Sequence, residues 1–180
     1  THPERLAEAV VSRRADIGFA LDGDADRVIV VSRDGTVLDG DHVMAMLAID
    51  LRNRGALSGE TLVVTVMSNL GLRLAMEQAG VAVVETPVGD RHVAEAITAG
   101  GYSLGGEQSG HIILADHAPS GDGLATAVAL LDLVRRDGRQ VGEIAAATMA
   151  SLPQVLVNVG IDPAGPSAAE LVETAAAVIG

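Results

Sequence analysis

Residues 61–86 carry the pattern that decides the fold. They read Thr61-Leu62-Val63-Val64-Thr65-Val66, then Met67-Ser68-Asn69, then Leu70-Gly71-Leu72-Arg73-Leu74-Ala75-Met76-Glu77-Gln78-Ala79-Gly80, then Val81-Ala82-Val83-Val84-Glu85-Thr86. Thr61 to Val66 and Val81 to Glu85 are short, apolar and rich in β-branched side chains, as strands are. The run between them predicts a helix over Leu70 to Ala79, stopped at Gly80. Strand and helix alternating in this way imply a parallel or mixed sheet covered by helices.

The alternation extends to both sides. Upstream, Asp39 or Asp41 caps a helix that reaches about Arg54 and stops near Gly55. Downstream, Asp90 to Ala99 reads as a helix ending in Gly100-Gly101. Ser103 to Gly110 holds a glycine-rich loop, and His111 to Leu114 is a strand. Ser120 or Asp122 then caps a long apolar helix to about Arg136, and Val141 to Met149 forms another. Residues 39–150 therefore read as one complete three-layer α/β unit.

Partial units flank it. In residues 1–38, a helix from Thr1 to Arg14 precedes the strands Ile17 to Leu21 and Val28 to Ser32, a turn at Asp34-Gly35 and the segment Thr36 to Leu38. In residues 151–180, a strand from Gln154 to Val159, a loop at Pro163 and Pro166, and a helix to Gly180 are expected. Both ends look like cuts through larger domains.

Composition narrows the function. All 12 basic residues are arginine and the formal net charge is −12, which argues against nucleic acid and anionic membranes as partners. The basic cluster Arg135, Arg136 and Arg139 reads as a solvated helix end. With no cysteine, disulfides and thiolate metal sites are excluded. The core must be aliphatic, because Phe19 and Tyr102 are the only aromatic residues. With no signal peptide and no bilayer-length apolar run, a soluble cytoplasmic protein is the default expectation.

Between the first two strands lies Asp22-Gly23-Asp24-Ala25-Asp26-Arg27. In an extended segment, residues two apart point to the same side, so the three carboxylates face one point. Each pair costs roughly 4 kcal/mol at 4 Å and an effective dielectric near 20. A bound cation removes that cost, and hard oxygen donors suit Mg²⁺ or Ca²⁺. An EF-hand does not fit, because Arg27 takes the glycine's place and Arg33 the terminal glutamate's. A phosphatase of the haloacid dehalogenase type does not fit either, because its D-x-D-x-T/V pattern has no aspartate at the place of Asp26.

Gly105-Gly106-Glu107-Gln108-Ser109-Gly110-His111 offers a carboxylate, an amide, a hydroxyl and an imidazole within a loop that glycines open to close approach. Glu107 can accept hydrogen bonds from neighbouring sugar hydroxyls, with Ser109 as a further donor and acceptor. Composition alone allows equally a tight turn with a solvated glutamate. In Val88-Gly89-Asp90-Arg91-His92, Asp90 reads as a helix N-cap, and Arg91 suits phosphate at a helix N-terminus. Met67-Ser68-Asn69 is similarly a loop after a strand that reaches the same cleft. His2, His42 and His117 read as surface or loop residues, and Met44 and Met46 as core filler.

Together these pieces resemble the α-D-phosphohexomutase superfamily. Asp22 to Arg27 matches its metal loop, D-G-D-x-D-R, and Gly106 to His111 matches its sugar loop, G-E-x-S-x-H. Met67 to Gly71, Val88 to Arg91, Ser120 to Gly123, Leu152 to Val159 and the glutamine at Gln108 look like its phosphoglucosamine mutase branch, with phosphomannomutase/phosphoglucomutase as the alternative. The resemblance implies a four-domain enzyme that isomerises a small sugar phosphate through a bisphosphate. It implies Mg²⁺ on Asp22, Asp24 and Asp26, and Arg27 at the phosphate or aiding proton transfer. It implies Glu107 and Ser109 on sugar hydroxyls, with Asp90, Arg91 and His111 lining the cleft. It allows a homodimer of the parent enzyme. The serine nucleophile and the phosphate-holding loop of that superfamily have no match here, so these residues alone are expected to be inactive. A non-catalytic sugar-phosphate-binding module is the rival of a different class.

Overall fold

The computed structural model describes residues 3–155 and residue 170. Helix α1 (Pro3–Arg13) packs on an antiparallel sheet of β1 (Ile17–Leu21), β2 (Val28–Ser32) and β3 (Val37–Leu38), in that order. A second sheet holds β4 (Thr61–Thr65), β5 (Ala82–Thr86), β6 (Leu104–Gly106) and β7 (Ile112–Leu114), in the order β5-β4-β6-β7. Strands β5, β4 and β6 are parallel, and β7 returns antiparallel to β6. Around them lie α2 (Gly40–Asn53), α3 (Leu70–Ala79), α4 (Asp90–Gly100), α5 (Gly123–Asp137) and α6 (Val141–Thr148).

The period of two along the strands sorts their side chains into two cores. Leu62 and Val64 of β4, with Ile112 and Leu114 of β7, join Met44, Leu72, Met76, Leu130 and Ile144 from α2, α3, α5 and α6. Val63 and Ile113 face the other way and pack with Val93 and Ile97 of α4. The sheet is thus covered on both faces, which is the three-layer arrangement expected for this segment. Met44 and Met46 are buried, and the smaller sheet adds Val28, Val30 and Leu38 to the larger core.

Several local readings are corrected. The stretch Ser103 to Gly110, read as holding a glycine-rich loop, also contains β6, an interior strand, because its glycines admit close neighbours. A Cβ on Gly105 would come within 2.8 Å of Val63, with Ile97 at 2.9 Å. Asp39 and Asp122, not Asp41 and Ser120, are the caps. Their carboxylates accept the backbone N–H of His42 at 3.1 Å and of Ala125 at 2.8 Å. Gly89 is the N-cap of α4, while Asp90 is its first helical residue and accepts from Arg91 N at 2.7 Å.

Arg136 is not simply solvated. It makes a two-pronged ion pair with Asp50 of α2 and a further bond to Asp132, fastening α5 to α2. His42 is half-buried, its Nδ1 lying 2.7 Å from Asp39 and its Nε2 3.3 Å from Ser151 Oγ. His117 is exposed in a turn, and His2 lies outside the described residues. Gln154 and Val155 have irregular backbone. The remainder of the expected strand to Val159, the Pro163/Pro166 loop and the helix to Gly180 lie outside the described residues, apart from Glu170. Among those described, no helix is long and apolar enough to cross a membrane.

Candidate functional site

The acidic loop closes the hairpin between β1 and β2, whose last pair is Leu21 with Val28. It is not extended. The Ala25 N–H donates to Asp22 O at 3.3 Å, and Ala25 takes the left-handed conformation with φ of 61°. A non-glycine residue there is uncommon, and it bends the chain so that the carboxylates converge through a turn and not through strand alternation. One oxygen from each of Asp22, Asp24 and Asp26 lies within 4.8 Å of the others.

The electrostatics of that cluster are incomplete. Arg27 Nε stands 3.6 Å from Asp22 and 3.8 Å from Asp26, beyond hydrogen-bonding distance, and its side chain is half exposed. Desolvation pushes the Asp22 carboxyl up, but it is outweighed, first by the Arg27 backbone N–H, so Asp22 sits below the usual range. Asp26 Oδ1 is buried and has no hydrogen-bond partner. Three hard oxygen donors around one orphaned carboxylate oxygen fit Mg²⁺ or Ca²⁺, since a cation would complete what the protein leaves unpaired.

The glycine-rich loop is the hairpin tip between β6 and β7, at the carboxyl ends of the parallel strands. The Glu107 N–H donates to His111 O at 2.9 Å, and the Gly110 N–H donates to Glu107 O at 3.0 Å. The Glu107 carboxylate accepts from Gly89 N at 3.0 Å and Ser109 Oγ at 3.4 Å, so the loops after β5 and β6 are tied together. Glu107, Gln108 and Ser109 line a cleft of about 340 Å³ with Thr65, Met67 and Val88. Met67 and Gln108 also border a neighbouring cleft of about 590 Å³ reaching Asn69, Ser151 and Gln154. Asp90 and Arg91 line neither, and Arg91 is turned to Glu95 at 2.7 Å.

The two tips are sewn together by backbone. The Val28 N–H donates to Gly110 O at 3.1 Å, Arg27 and His111 form an antiparallel bridge, and the Gly40 N–H donates to Gln108 O at 3.0 Å. A Cβ on Gly110, whose φ is +94°, would collide with the Val28 carbonyl. His111 lies buried in this seam. Its Nδ1 is 3.1 Å from Asp26 Oδ2, and the Gly121 N–H donates to its Nε2 at 3.2 Å. The Gly123 N–H donates to Ala25 O at 2.9 Å, so residues 121–123 strap both tips from behind. The sequence singled out Ser120-Gly121-Asp122-Gly123 only as a likeness and a cap. Paired glycines around a cap residue were the available sign of a close backbone approach.

A further carboxylate, read from the sequence only as a possible helix cap, is buried behind the clefts. Asp41 is fully buried; its Oδ2 accepts the Asn69 N–H at 2.7 Å, and its Oδ1 has no partner. Burial, with Asp39 nearby, pushes its pKa up to about 6 against the bond from Asn69. Asn69 in turn caps α3 through Gly71 N and clasps Leu152, accepting its N–H and donating to its carbonyl.

A mixed sheet layered between helices thus carries an acidic turn sewn to a glutamate-bearing hairpin. The chain belongs to the phosphoglucomutase/phosphomannomutase family, whose alpha/beta/alpha domain III matches residues 39–152. More particularly, it is similar to proteins named phosphoglucosamine mutase from Thermobifida fusca and Frankia alni, at 59% and 56% identity over 163 residues. That alignment covers 90% of this chain and 36% of each relative, so the chain spans about a third of their length. A solved structure described as a putative phosphomannomutase from Thermus thermophilus superposes with a TM-score of 0.70 at 30% identity, over 79% of this chain and 32% of that one. The Aspergillus fumigatus N-acetylphosphoglucosamine mutase, solved with GlcNAc-6P and magnesium, shares the fold with a TM-score of 0.60 at 22% identity, over 75% of this chain and 33% of that one.

Proposed function

We propose that this chain is a segment of an enzyme that interconverts glucosamine 6-phosphate and glucosamine 1-phosphate through a bisphosphate intermediate. In this reading, residues 1–38 end one domain and supply the metal loop, residues 39–150 are the sugar-binding unit, and residues 151–180 open a further domain. The observation that carries it is the seam: an acidic turn and a glutamate-bearing hairpin tip are bonded backbone to backbone, so metal-held phosphate and sugar would meet at one place. The relatives named phosphoglucosamine mutase favour the amino sugar. The Thermus structure, described as a putative phosphomannomutase, supports mannose or glucose phosphate as the second reading.

Asp22, Asp24 and Asp26 would hold Mg²⁺, which when bound supplies charge neutralisation to phosphoryl transfer. Arg27, half exposed beside the aspartates, is placed to meet a phosphate oxygen with its guanidinium. Glu107 accepts from sugar hydroxyls in the cleft, and Ser109 both braces it and offers its own hydroxyl. Because the Gly89 N–H already fixes Glu107 Oε1, the carboxylate is aimed before the sugar arrives. Asp90 and Arg91 flank that brace, and Arg91 would exchange Glu95 for a phosphate.

The full-length enzyme tests this. Its kcat/KM should be highest for glucosamine 6-phosphate, and a preference for mannose phosphate would move it to the second reading. Glu107→Gln keeps shape but removes a charge-assisted acceptor worth about 1.5–3 kcal/mol, so kcat/KM should fall roughly ten- to a hundredfold. Unchanged kinetics with a lower Tm would make Glu107 a turn residue and remove the sugar-binding role of its hairpin, whereas a full-length protein that turns over none of these sugar phosphates would favour a non-catalytic module.

A further inference from the structure

His111 ends the sugar-loop motif, yet it is 4% exposed and lines neither cleft. Both of its ring nitrogens are engaged, and their partners fix the tautomer. A backbone N–H can only donate, so His111 Nε2 is the acceptor of the bond from Gly121 at 3.2 Å. The neutral ring then carries its proton on Nδ1 and donates it to Asp26 Oδ2 at 3.1 Å. That bond takes one oxygen of the carboxylate and leaves the other, the buried Oδ1, with no hydrogen bond and only the Arg27 Nε at 3.8 Å beside it. The ring cannot drift away, because residues 111 and 27 are bridged by backbone on one side and Gly121 closes on the other.

We infer that His111 is a positioning residue for the metal site, orienting Asp26 so that a single carboxylate oxygen faces the cation. The inference rests on reading Asp22, Asp24 and Asp26 as metal ligands. It also gives the seam a chemical role: the residue that closes the sugar hairpin is the residue that sets the metal ligand, so the two loops cannot shift independently. Partners of this outer kind change metal affinity by about 10- to 100-fold when removed.

The experiment titrates the 180-residue chain with Mn²⁺, reading the free ion by electron paramagnetic resonance, and repeats it with Mg²⁺ as competitor. Three substitutions separate the two ring nitrogens. In His111→Asn the amide nitrogen lies near the place of Nδ1 and can still donate to Asp26. In His111→Gln the amide lies near the place of Nε2 and leaves Asp26 without its donor. His111→Leu removes both. We expect Mn²⁺ affinity to fall about tenfold or more in the glutamine and leucine variants, and to stay within about threefold of the parent in the asparagine variant. Melting curves for the two polar variants should move together, since each loses a buried ring, so stability alone cannot produce the split. Equal Mn²⁺ affinity in the asparagine and glutamine variants, whether both keep it or both lose it, would overturn the inference even if the leucine variant fails to fold. Asp24→Asn is the separate check on the ligands. If it binds Mn²⁺ as the parent does, the metal reading falls and the role of His111 falls with it.

Discussion

Asp26 and Asp41 share one symptom, a buried carboxylate oxygen with no hydrogen-bond partner, but they stand in different surroundings. Asp26 lies at a hairpin tip with two other aspartates within 4.8 Å and a loosely held arginine outside. Asp41 is fully enclosed in the first turn of α2, with Asn69 N as its donor and Asp39 as its nearest like charge. An enclosed single carboxylate can be relieved by a proton, and its raised pKa shows that tendency. Three neighbouring carboxylates, Asp24 exposed and the others half-buried, have no such simple route, because one proton leaves two charges, whereas one divalent cation answers all of them. Under the proposed metal reading, the same kind of orphaned oxygen is relieved by a proton in one place and by a cation in the other.

The sharpest way to break this comparison is to remove the seam that holds Asp26 in place. Gly110→Ala forces an L residue to a φ of +94° and drives its Cβ into the Val28 carbonyl. The left-handed conformation alone costs about 1–2 kcal/mol, and the collision adds to it, so stability should drop by roughly 3 kcal/mol or more. Urea denaturation measures this. A loss under about 1 kcal/mol would mean the two hairpin tips are not rigidly joined.

Asp41 gives the next largest effect, with opposite sign. Its folded pKa lies above the ordinary carboxylate value, so the stability it contributes is present below pH 3.8 and is lost as pH rises through about 6. The rise from 3.8 to about 6 corresponds to roughly 3 kcal/mol. Asp41→Asn keeps an acceptor for Asn69 N and removes the charge that burial disfavours. At pH 7 it should stabilise the protein by up to about 3 kcal/mol and flatten the stability profile between pH 4 and 6. A destabilised variant with an unchanged profile would show that Asp41 is ionised and satisfied in the folded protein.

Why the sequence revealed one aspartate and not the other follows from distance along the chain. Asp22, Asp24 and Asp26 are neighbours, so their clustering survives any reading of the loop, even though the turn through Ala25 replaced the expected strand alternation. Asp41 is buried by Asn69 and Ser68, and nothing local announces that contact. The caps were narrowed to neighbouring pairs, Asp39 or Asp41 and Ser120 or Asp122, and the glycine stops were legible, because caps and stops act within a single turn. The order β5-β4-β6-β7, the strand hidden in Leu104 to Gly106 and the Arg136–Asp50 pair depend on partners far away in sequence. His111 was read as a cleft residue because its motif is contiguous, while its two partners come from different segments.

Metal addition should have a smaller effect, confined to one of the two carboxylates. At ten times its dissociation constant, Mg²⁺ binding only the folded state should add about 1.4 kcal/mol. The increment should vanish in Asp22→Asn or on adding a chelator, and survive in Asp41→Asn. A Tm rise of the same size in Asp22→Asn would place the ion elsewhere.

Arg91 supplies a third case and the smallest effect, a charge whose remedy is water. Its side chain is 82% exposed, and its bond to Glu95 spans one helical turn at 2.7 Å. Solvent screens such a pair, and a cation near a helix N-terminus is opposed by the helix dipole. Arg91→Ala should therefore leave the urea midpoint essentially unchanged. The proposed exchange of Glu95 for a phosphate makes a different demand on the full-length enzyme: Arg91→Ala should raise KM for the sugar phosphate. Glu95→Gln, which frees the guanidinium, should leave KM unchanged or lower it. Both KM values staying at the parent level would make Arg91 and Glu95 an ordinary surface pair. The cleft would then be bounded by Glu107, Ser109 and Met67, with no arginine on its α4 side.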